Sequence, residues 1–310
     1  MQVSKPLFSI IIPTYNRANL IETAINSILT QGYSDWELII VDDGSTDDTQ
    51  SVVAKYLTDK RINYYYQENK ELNGARNTGI DLSTGTYLCF CDDDDYYLPN
   101  HLELLEAFIK EHNEPIGLIR MGTFYQRGAK MIKLPNYDKE ANNPFEFIWK
   151  NPVNLLSIAM HRTIFERQRF DEDFLLYEDV HFLFRVILDF PFYQDSNYTA
   201  VYVNHSGART INYRDAEKVK NYFACMDHLF DNFGERLTPY ITPTMRQEAV
   251  TLQYLNFSKA ATMSRDFSNA AKYIWSAMRN GRSIPLFRNF VYSIGLLLSK
   301  WMFNYPKLPH

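Results

Sequence analysis

A strand-and-helix rhythm in the first hundred residues restricts this chain more than any other feature. Apolar runs at 8–12, 37–41, 62–66 and 87–91 are closed in turn by Pro13, by Asp42-Asp43-Gly44, by a polar loop and by four consecutive aspartates. Short apolar runs bounded by turn residues read as strands buried on both faces. Between them, Leu20, Ile21, Ala24, Ile25, Ile28 and Leu29 recur at helical spacing, as do Val52, Val53, Tyr56 and Leu57. Ser45 and Asp48 have capping-box spacing ahead of the second stripe. A short helix is expected at 75–82, and Pro99 opens another through Leu102, Leu105 and Ile109. Such alternation predicts a mostly parallel sheet with helices on both faces, and such sheets bind ligands beyond the carboxyl ends of their strands. The polar clusters at 14–17, 42–46 and 92–95 all fall at those ends.

The second half is less regular. Strands are expected at 118–121, 157–161 and 200–204, with a helix at 179–188 carrying Val180, Leu183, Phe184 and Ile187 on one face. Beyond residue 215 the pattern reads as wholly helical. No linker or repeat marks a boundary, and the chain is divided at 1–212 and 213–310.

The chemistry concentrates in a few clusters. Four adjacent carboxylates, Asp92 to Asp95, repel one another at a strand end. A hard divalent cation with oxygen ligands, Mn²⁺ or Mg²⁺, relieves that repulsion; a solvated acidic turn is the plainer alternative. Asp43 can accept hydrogen bonds from a base or ribose, although Asp42-Asp43-Gly44-Ser45 also reads as a turn with a helix cap. Tyr15 offers a face for a base, and Arg17 and Arg76 offer cations for phosphate. Glu178 and Asp179 read either as a general base for a hydroxyl or as ordinary acids in a first helical turn. His205 is either a metal or phosphate contact or a structural histidine.

Composition closes off several classes. A net charge of −5 lacks the basic surplus of a nucleic-acid binder. Three cysteines make no disulfide framework, and Cys89 and Cys91 read as small core residues of one strand, which suits a reducing, cytoplasmic setting. The N-terminal apolar run is too short for a signal peptide and is interrupted by Pro13. The apolar stretch at 290–303 contains Lys300 and falls short of the roughly 20 residues that span a bilayer. The aromatic C-terminal part, with Trp275, Phe287, Phe290, Tyr292, Trp301 and Phe303, reads as a helical cap on the core. Peripheral membrane contact at the inner face and a homodimer stay open as alternatives.

Five segments taken in order resemble the family 2 glycosyltransferases of the GT-A fold: SIIIPTYNR at 9–17, ELIIVDDGSTDDT at 37–49, GARNTGI at 74–80, FCDDDDYYLPNHL at 90–102 and YEDVHFLFRV at 177–186. The resemblance covers about the first two-thirds of the chain. It implies a Rossmann-like, GT-A α/β fold with a C-terminal helical extension. In it, residues 1–105 would form a nucleotide-binding half and residues 106–212 an acceptor-binding half. It also implies an inverting, metal-dependent transfer from a nucleotide-sugar, expected to be a UDP-sugar, to a hydroxyl of a saccharide or lipid-linked saccharide. On this resemblance Pro13, Thr14, Tyr15, Arg17, Asp43, Arg76, Asp92 and Asp93 would hold the nucleotide. Asp94, with Asp92 and His205, would bind Mn²⁺ or Mg²⁺. Asp179 would be the base and Glu178 its orienter or an acceptor contact. Two departures stand out. Glu71 replaces a glycine usual before the Ala75-Arg76-Asn77 segment, and the motif of processive synthases is missing. A sugar nucleotidyltransferase would want a glycine-rich phosphate loop where this chain has Pro13 to Arg17. A non-catalytic sugar-nucleotide binder would not need Asp92, Asp94 and Asp179.

Overall fold

The computed structural model describes residues 5–138, 143–151, 153–174, 177–205, 216–263 and 266–280. Its contacts divide the chain into two compact units, Met1–Arg209 and Thr210–His310. In the first unit the elements run β1 (Phe8–Thr14), α1 (Ile21–Leu29), β2 (Trp36–Asp42), α2 (Thr49–Ala54), β3 (Ile62–Tyr66), α3 (Glu71–Leu82), β4 (Tyr87–Phe90), β5 (Tyr96–Tyr97) and α4 (His101–Glu111). They continue with β6 (Leu118–Arg127), β7 (Lys130–Lys133), α5 (Pro144–Lys150), β8 (Ile158–His161), α6 (Glu178–Ile187) and β9 (Phe192–Asn204).

Among the described residues the strands form one nine-stranded sheet in the order β3-β2-β1-β4-β8-β6-β9-β5, with β7 paired to β6. The first four strands are parallel, with near-continuous buried apolar runs in β1, β2 and β4 and an edge strand β3 that leaves Tyr65 and Tyr66 exposed; β8 enters antiparallel, and β6 and β9 are parallel to each other. Alternate residues of β1 face opposite layers. Phe8, Ile10 and Ile12 pack with Ile21, Ile25, Leu102 and Leu105 of α1 and α4. Ile11 meets α3 at Gly79, where any Cβ would overlap Ile11 Cγ2. Each fully buried aliphatic side chain of this kind contributes about 1.5–3 kcal/mol.

Several elements differ from expectation. Helix α3 begins at Glu71, four residues before the expected start, because Glu71 takes a left-handed φ of 62° and turns the chain into the helix there. Helix α2 stops at Ala54, which leaves Leu57 42% exposed beyond the helix. The pair Tyr96–Tyr97 joins the far edge of the sheet through β9, a pairing too long-range for local periodicity to reveal. Strand β9 starts at Phe192 and slips register between Arg120 and Thr123 of its partner, which hides its alternation. Cys89 and Cys91 are buried, and burial alone pushes the Cys89 thiol up to about 12, as befits core residues.

The second unit has the helices α7 (Ala216–Leu237), α8 (Pro243–Met263) and α9 (Phe267–Asn280). Phe223 stacks on Tyr254 and Phe257 packs on Tyr273, with Cys225, Leu229 and Leu255 buried. Trp275 is 58% exposed with Arg279 over its ring. Among the described residues no helix is long and apolar enough to cross a membrane. The apolar stretch at 290–303, with Phe287, Phe290, Tyr292, Trp301 and Phe303, and the expected boundary at 212 lie outside the described residues.

Candidate active site

The loops after β1 and β2 are laced together. Asn16, at a left-handed φ of 54°, accepts the Thr46 N–H (2.7 Å) and donates its own N–H to Ser45 Oγ (2.8 Å). The Arg17 N–H donates to Thr49 Oγ1 (3.1 Å). Ser45 is thereby engaged with the neighbouring loop, and the capping box expected of Ser45 and Asp48 does not form; Asp48 makes no side-chain cap. The two aspartates that end β2 divide the work. Asp42 accepts the Ser45 N–H (2.8 Å) and the Tyr64 hydroxyl (2.6 Å), which is the turn's own chemistry. Asp43 Oδ1 accepts from Gln67 Nε2 (2.6 Å) and the Lys70 N–H (2.8 Å). Among the described residues no group bonds Asp43 Oδ2. Asp43 lines a cleft of about 170 Å³ together with Pro13, Thr14, Tyr15 and Arg17. Tyr15 is 48% exposed, so a ring face is open to a planar ligand.

The four aspartates after β4 differ sharply from one another. Asp93 accepts the Thr14 hydroxyl (2.7 Å) and lies 3.9 Å from Arg17 Nε; burial pushes it up to about 7. Asp94 meets His205 Nε2 at 3.1 Å, and burial and the Asp92 charge raise it. Asp95 is fully buried; it accepts the Val203 N–H (2.8 Å) through Oδ1 while Oδ2 has no partner among the described residues, and burial holds it well above the usual range. Asp92, Asp93 and Asp94 line the same cleft as Asp43. Asp94 and His205 touch and the Asp92 charge bears on Asp94, but the ligand atoms of Asp92, Asp94 and His205 do not all lie within 4.8 Å of one another as they stand. In donor type alone, carboxylate oxygens with one imidazole nitrogen are what Mn²⁺ or Mg²⁺ takes.

Arg76 is 1% exposed and joins this cluster to the second half of the unit. Its guanidinium reaches Asp179 Oδ1 (2.8 Å), Glu178 Oε1 (3.5 Å) and Asp92 Oδ1 (3.3 Å), and these three carboxylates hold it charged. Arg76 is almost fully buried and is not among the residues lining the cleft. Asp179, in the first turn of α6, is pushed up to about 7, chiefly by burial, with Arg76 pulling it back.

Two asparagines of α3 hold the segment that leads to α6. Asn73 Nδ2 donates to the carbonyls of Asp171 (2.7 Å) and Phe174 (2.8 Å). Asn77 donates to the Phe170 carbonyl (3.0 Å) and accepts its N–H (3.0 Å). Sequence reasoning did not single out either clamp. The only local sign is an i,i+4 asparagine pair on the helix that carries Arg76, and its targets lie nearly a hundred residues away.

Comparison with known proteins converges on one family. The pattern of "Glycosyl transferase family 2" matches residues 9–174. The GalNAc(5)-diNAcBac-PP-undecaprenol beta-1,3-glucosyltransferase of Campylobacter jejuni is 44% identical over 176 residues, 54% of this chain and 56% of that protein. An uncharacterized glycosyltransferase of Rickettsia bellii is 34% identical over 175 residues, 55% of this chain but 25% of its own length. The chain thus spans between a quarter and little more than half of these relatives. Among solved structures, S. aureus TarS in complex with UDP-GlcNAc aligns over 97% of this chain and 93% of its own, with TM-score 0.58 and 17% identity. The mannosyltransferase PcManGT of Pyrobaculum calidifontis, in complex with GDP-Man and Mn²⁺, covers 97% and 83% with TM-score 0.56 and 20% identity. At these identities the structures establish the shared GT-A fold.

Proposed function

The chain belongs to glycosyltransferase family 2, and from that premise we propose that it transfers a sugar from a nucleoside diphosphate donor to an acceptor hydroxyl with inversion. The observation that carries this reading is Arg76, whose buried guanidinium binds both Asp92 at the end of β4 and Asp179 at the start of α6. A candidate base is thereby tied to the acidic cluster that lines the cleft. In the reading, residues 1–105 hold the donor and residues 106–212 receive the acceptor. Tyr15 stacks on the base of the nucleotide, and Asp43 accepts its ring N–H. The carboxylates of Asp92 and Asp94 and the imidazole of His205 would hold Mn²⁺ or Mg²⁺. When bound, such an ion offsets the charge that develops on the leaving diphosphate.

Asp179 takes the proton of the acceptor hydroxyl, and that oxygen forms the new bond to the anomeric carbon as the bond to the diphosphate breaks. Arg76 keeps the Asp179 carboxylate oriented, and Glu178 shares the same guanidinium. A base near 7 is well matched to this task at neutral pH. The acceptor is a saccharide or lipid-linked saccharide, the chemistry named for the Campylobacter relative.

Calorimetric titration of nucleoside diphosphates with and without Mn²⁺ tests the reading. Mn²⁺-dependent binding is expected in the wild type and in Asp179→Asn, and its loss in Asp94→Ala. Equal binding with and without Mn²⁺ in all three proteins would sink the assigned metal site.

A further inference from the structure

Strand β7 hangs from the sheet by β6 alone, and all four of its residues are exposed. The two strands join in a two-residue turn where Gly128 takes a φ of 58°, as tight hairpins favour. A Cβ at Gly128 would meet nothing within 4 Å, so the tip stands clear of the described residues. Across the ribbon Arg127 pairs with Lys130, Gln126 with Met131 and Tyr125 with Ile132. Met131 and Ile132 are 42% and 44% exposed. Neighbours in a strand point to opposite faces, so β7 presents an aliphatic side chain on each side. Lys130 and Lys133 bracket the pair, with the Lys133 ammonium 4.6 Å from the Tyr198 ring.

Charge is segregated here. From Pro115 to Tyr137 the chain has no Asp or Glu, although the whole carries −5. Arg120 is buried, which leaves Arg127, Lys130 and Lys133 as the cations of this surface. Exposed aliphatic side chains gain nothing from a polar partner such as a nucleic acid, and cations gain nothing from a purely apolar one. A bilayer offers anionic headgroups above acyl chains, and so meets both needs. Long lysine side chains can lie along the apolar layer and still reach the phosphates.

The hairpin also has a place beside the site. Arg127 pairs with Asn204 on one side as it does with Lys130 on the other. Asn204 Nδ2 donates to the Tyr125 hydroxyl (2.6 Å) and precedes His205, which meets Asp94. The cationic end of the hairpin thus adjoins the strand end that carries His205.

We propose that the β6–β7 hairpin is a bilayer-docking surface, in which Arg127, Lys130 and Lys133 meet anionic headgroups while Met131 and Ile132 enter the apolar interface. This goes beyond the transfer reading, and it uses a different part of the chain from the aromatic C-terminal region. A lipid-linked acceptor would then reach the protein beside the strand end that carries His205.

The test is co-sedimentation of the full chain with vesicles of phosphatidylcholine alone and of phosphatidylcholine mixed with phosphatidylglycerol. The wild type is expected to bind the mixed vesicles, to leave the neutral ones in solution, and to bind less as salt is raised. The double variant Arg127→Gln/Lys130→Gln should bind about 20-fold more weakly, about fivefold for each cation removed. Met131→Ser/Ile132→Ser keeps every charge and should bind about fourfold more weakly or worse, the effect of at least one methylene withdrawn from the interface. Both variants should unfold at the wild-type urea midpoint and keep Mn²⁺-dependent nucleotide binding, so the vesicle result is separate from the donor reading. A wild type that ignores the mixed vesicles overturns the proposal, as does binding unchanged in both variants. A loss confined to the charge variant overturns it too, because the surface would then be a site for anions without a bilayer.

Discussion

Asp179 and Arg76 divide a problem that neither solves alone. A carboxylate withdrawn from water has its proton affinity raised, and a cation beside it lowers that affinity again. At Asp179 burial prevails and the group is pushed up to about 7. In the proposed role of base it must be ionised, so kcat/KM should fall tenfold per pH unit below about pH 7 and level off above it. A profile with no inflection between pH 5 and 8 would remove Asp179 from the role. Asp179→Asn should lower kcat by about 10²- to 10⁴-fold, with nucleotide affinity nearly unchanged by calorimetry. Arg76→Ala leaves three carboxylates facing one another without their shared cation, and should destabilise the protein by about 3–5 kcal/mol in urea unfolding. Of these residues, the carboxylates and the arginine were legible in the sequence because their types carry the chemistry. Their mutual distances were not. No local pattern tells that Arg76 pairs with Asp179, and the i,i+4 pair Asn73 and Asn77 gives no hint of the backbone it clamps.

At the scale of elements, close approach and burial decide what can change. Helix α3 lies against β1 at Gly79, and Gly79→Ala would drive a methyl into Ile11. The expected cost is about 1–3 kcal/mol, with a loss of nucleotide affinity because the same helix lines the cleft through Leu72 and Ala75. Wild-type stability and affinity in that variant would show that the helix can shift freely. Helix α4 begins with His101, which is 1% exposed, stacks on Tyr97 at 3.9 Å and bonds Thr199 at 2.7 Å. Burial lowers its pKa from 6.5 to about 3. The unfolded chain therefore binds a proton below pH 6.5 that the folded chain refuses, and stability falls as pH falls. The loss attributable to His101 should reach about 2 kcal/mol by pH 5. Denaturant unfolding of the wild type and His101→Gln at pH 7 and pH 5 checks this, since the variant should lack that part of the slope. The parallel strands β1, β2 and β4 were legible because strands buried on both faces have near-continuous apolar runs, and β3 by its place in the strand-and-helix alternation. Strand β5 and the early part of β9 were not, because two residues hold no period and a register slip erases one.

For the whole molecule, the sheet brings residues far apart in the chain to one acidic cleft. A ligand that binds only the folded state stabilises it by mass action, so Mn²⁺ with a nucleoside diphosphate at about a hundred times the dissociation constant should add about 2.7 kcal/mol. Neither component alone should do as much, and Asp94→Ala should remove the effect of the metal. An equal shift of the unfolding midpoint in Asp94→Ala would count against the assigned ligands. The order of the strands also bears on how the protein comes off the ribosome. Asp95 is held by the Val203 N–H, Asp94 faces His205, and Tyr96–Tyr97 pair with β9. At about 5–20 residues per second, translation places several seconds between the acidic run and the strand that secures it. A nascent chain halted in that interval carries the acidic run but lacks both His205 and the strand that secures Asp95. Incomplete translation products are therefore expected to lack an ordered acidic cleft.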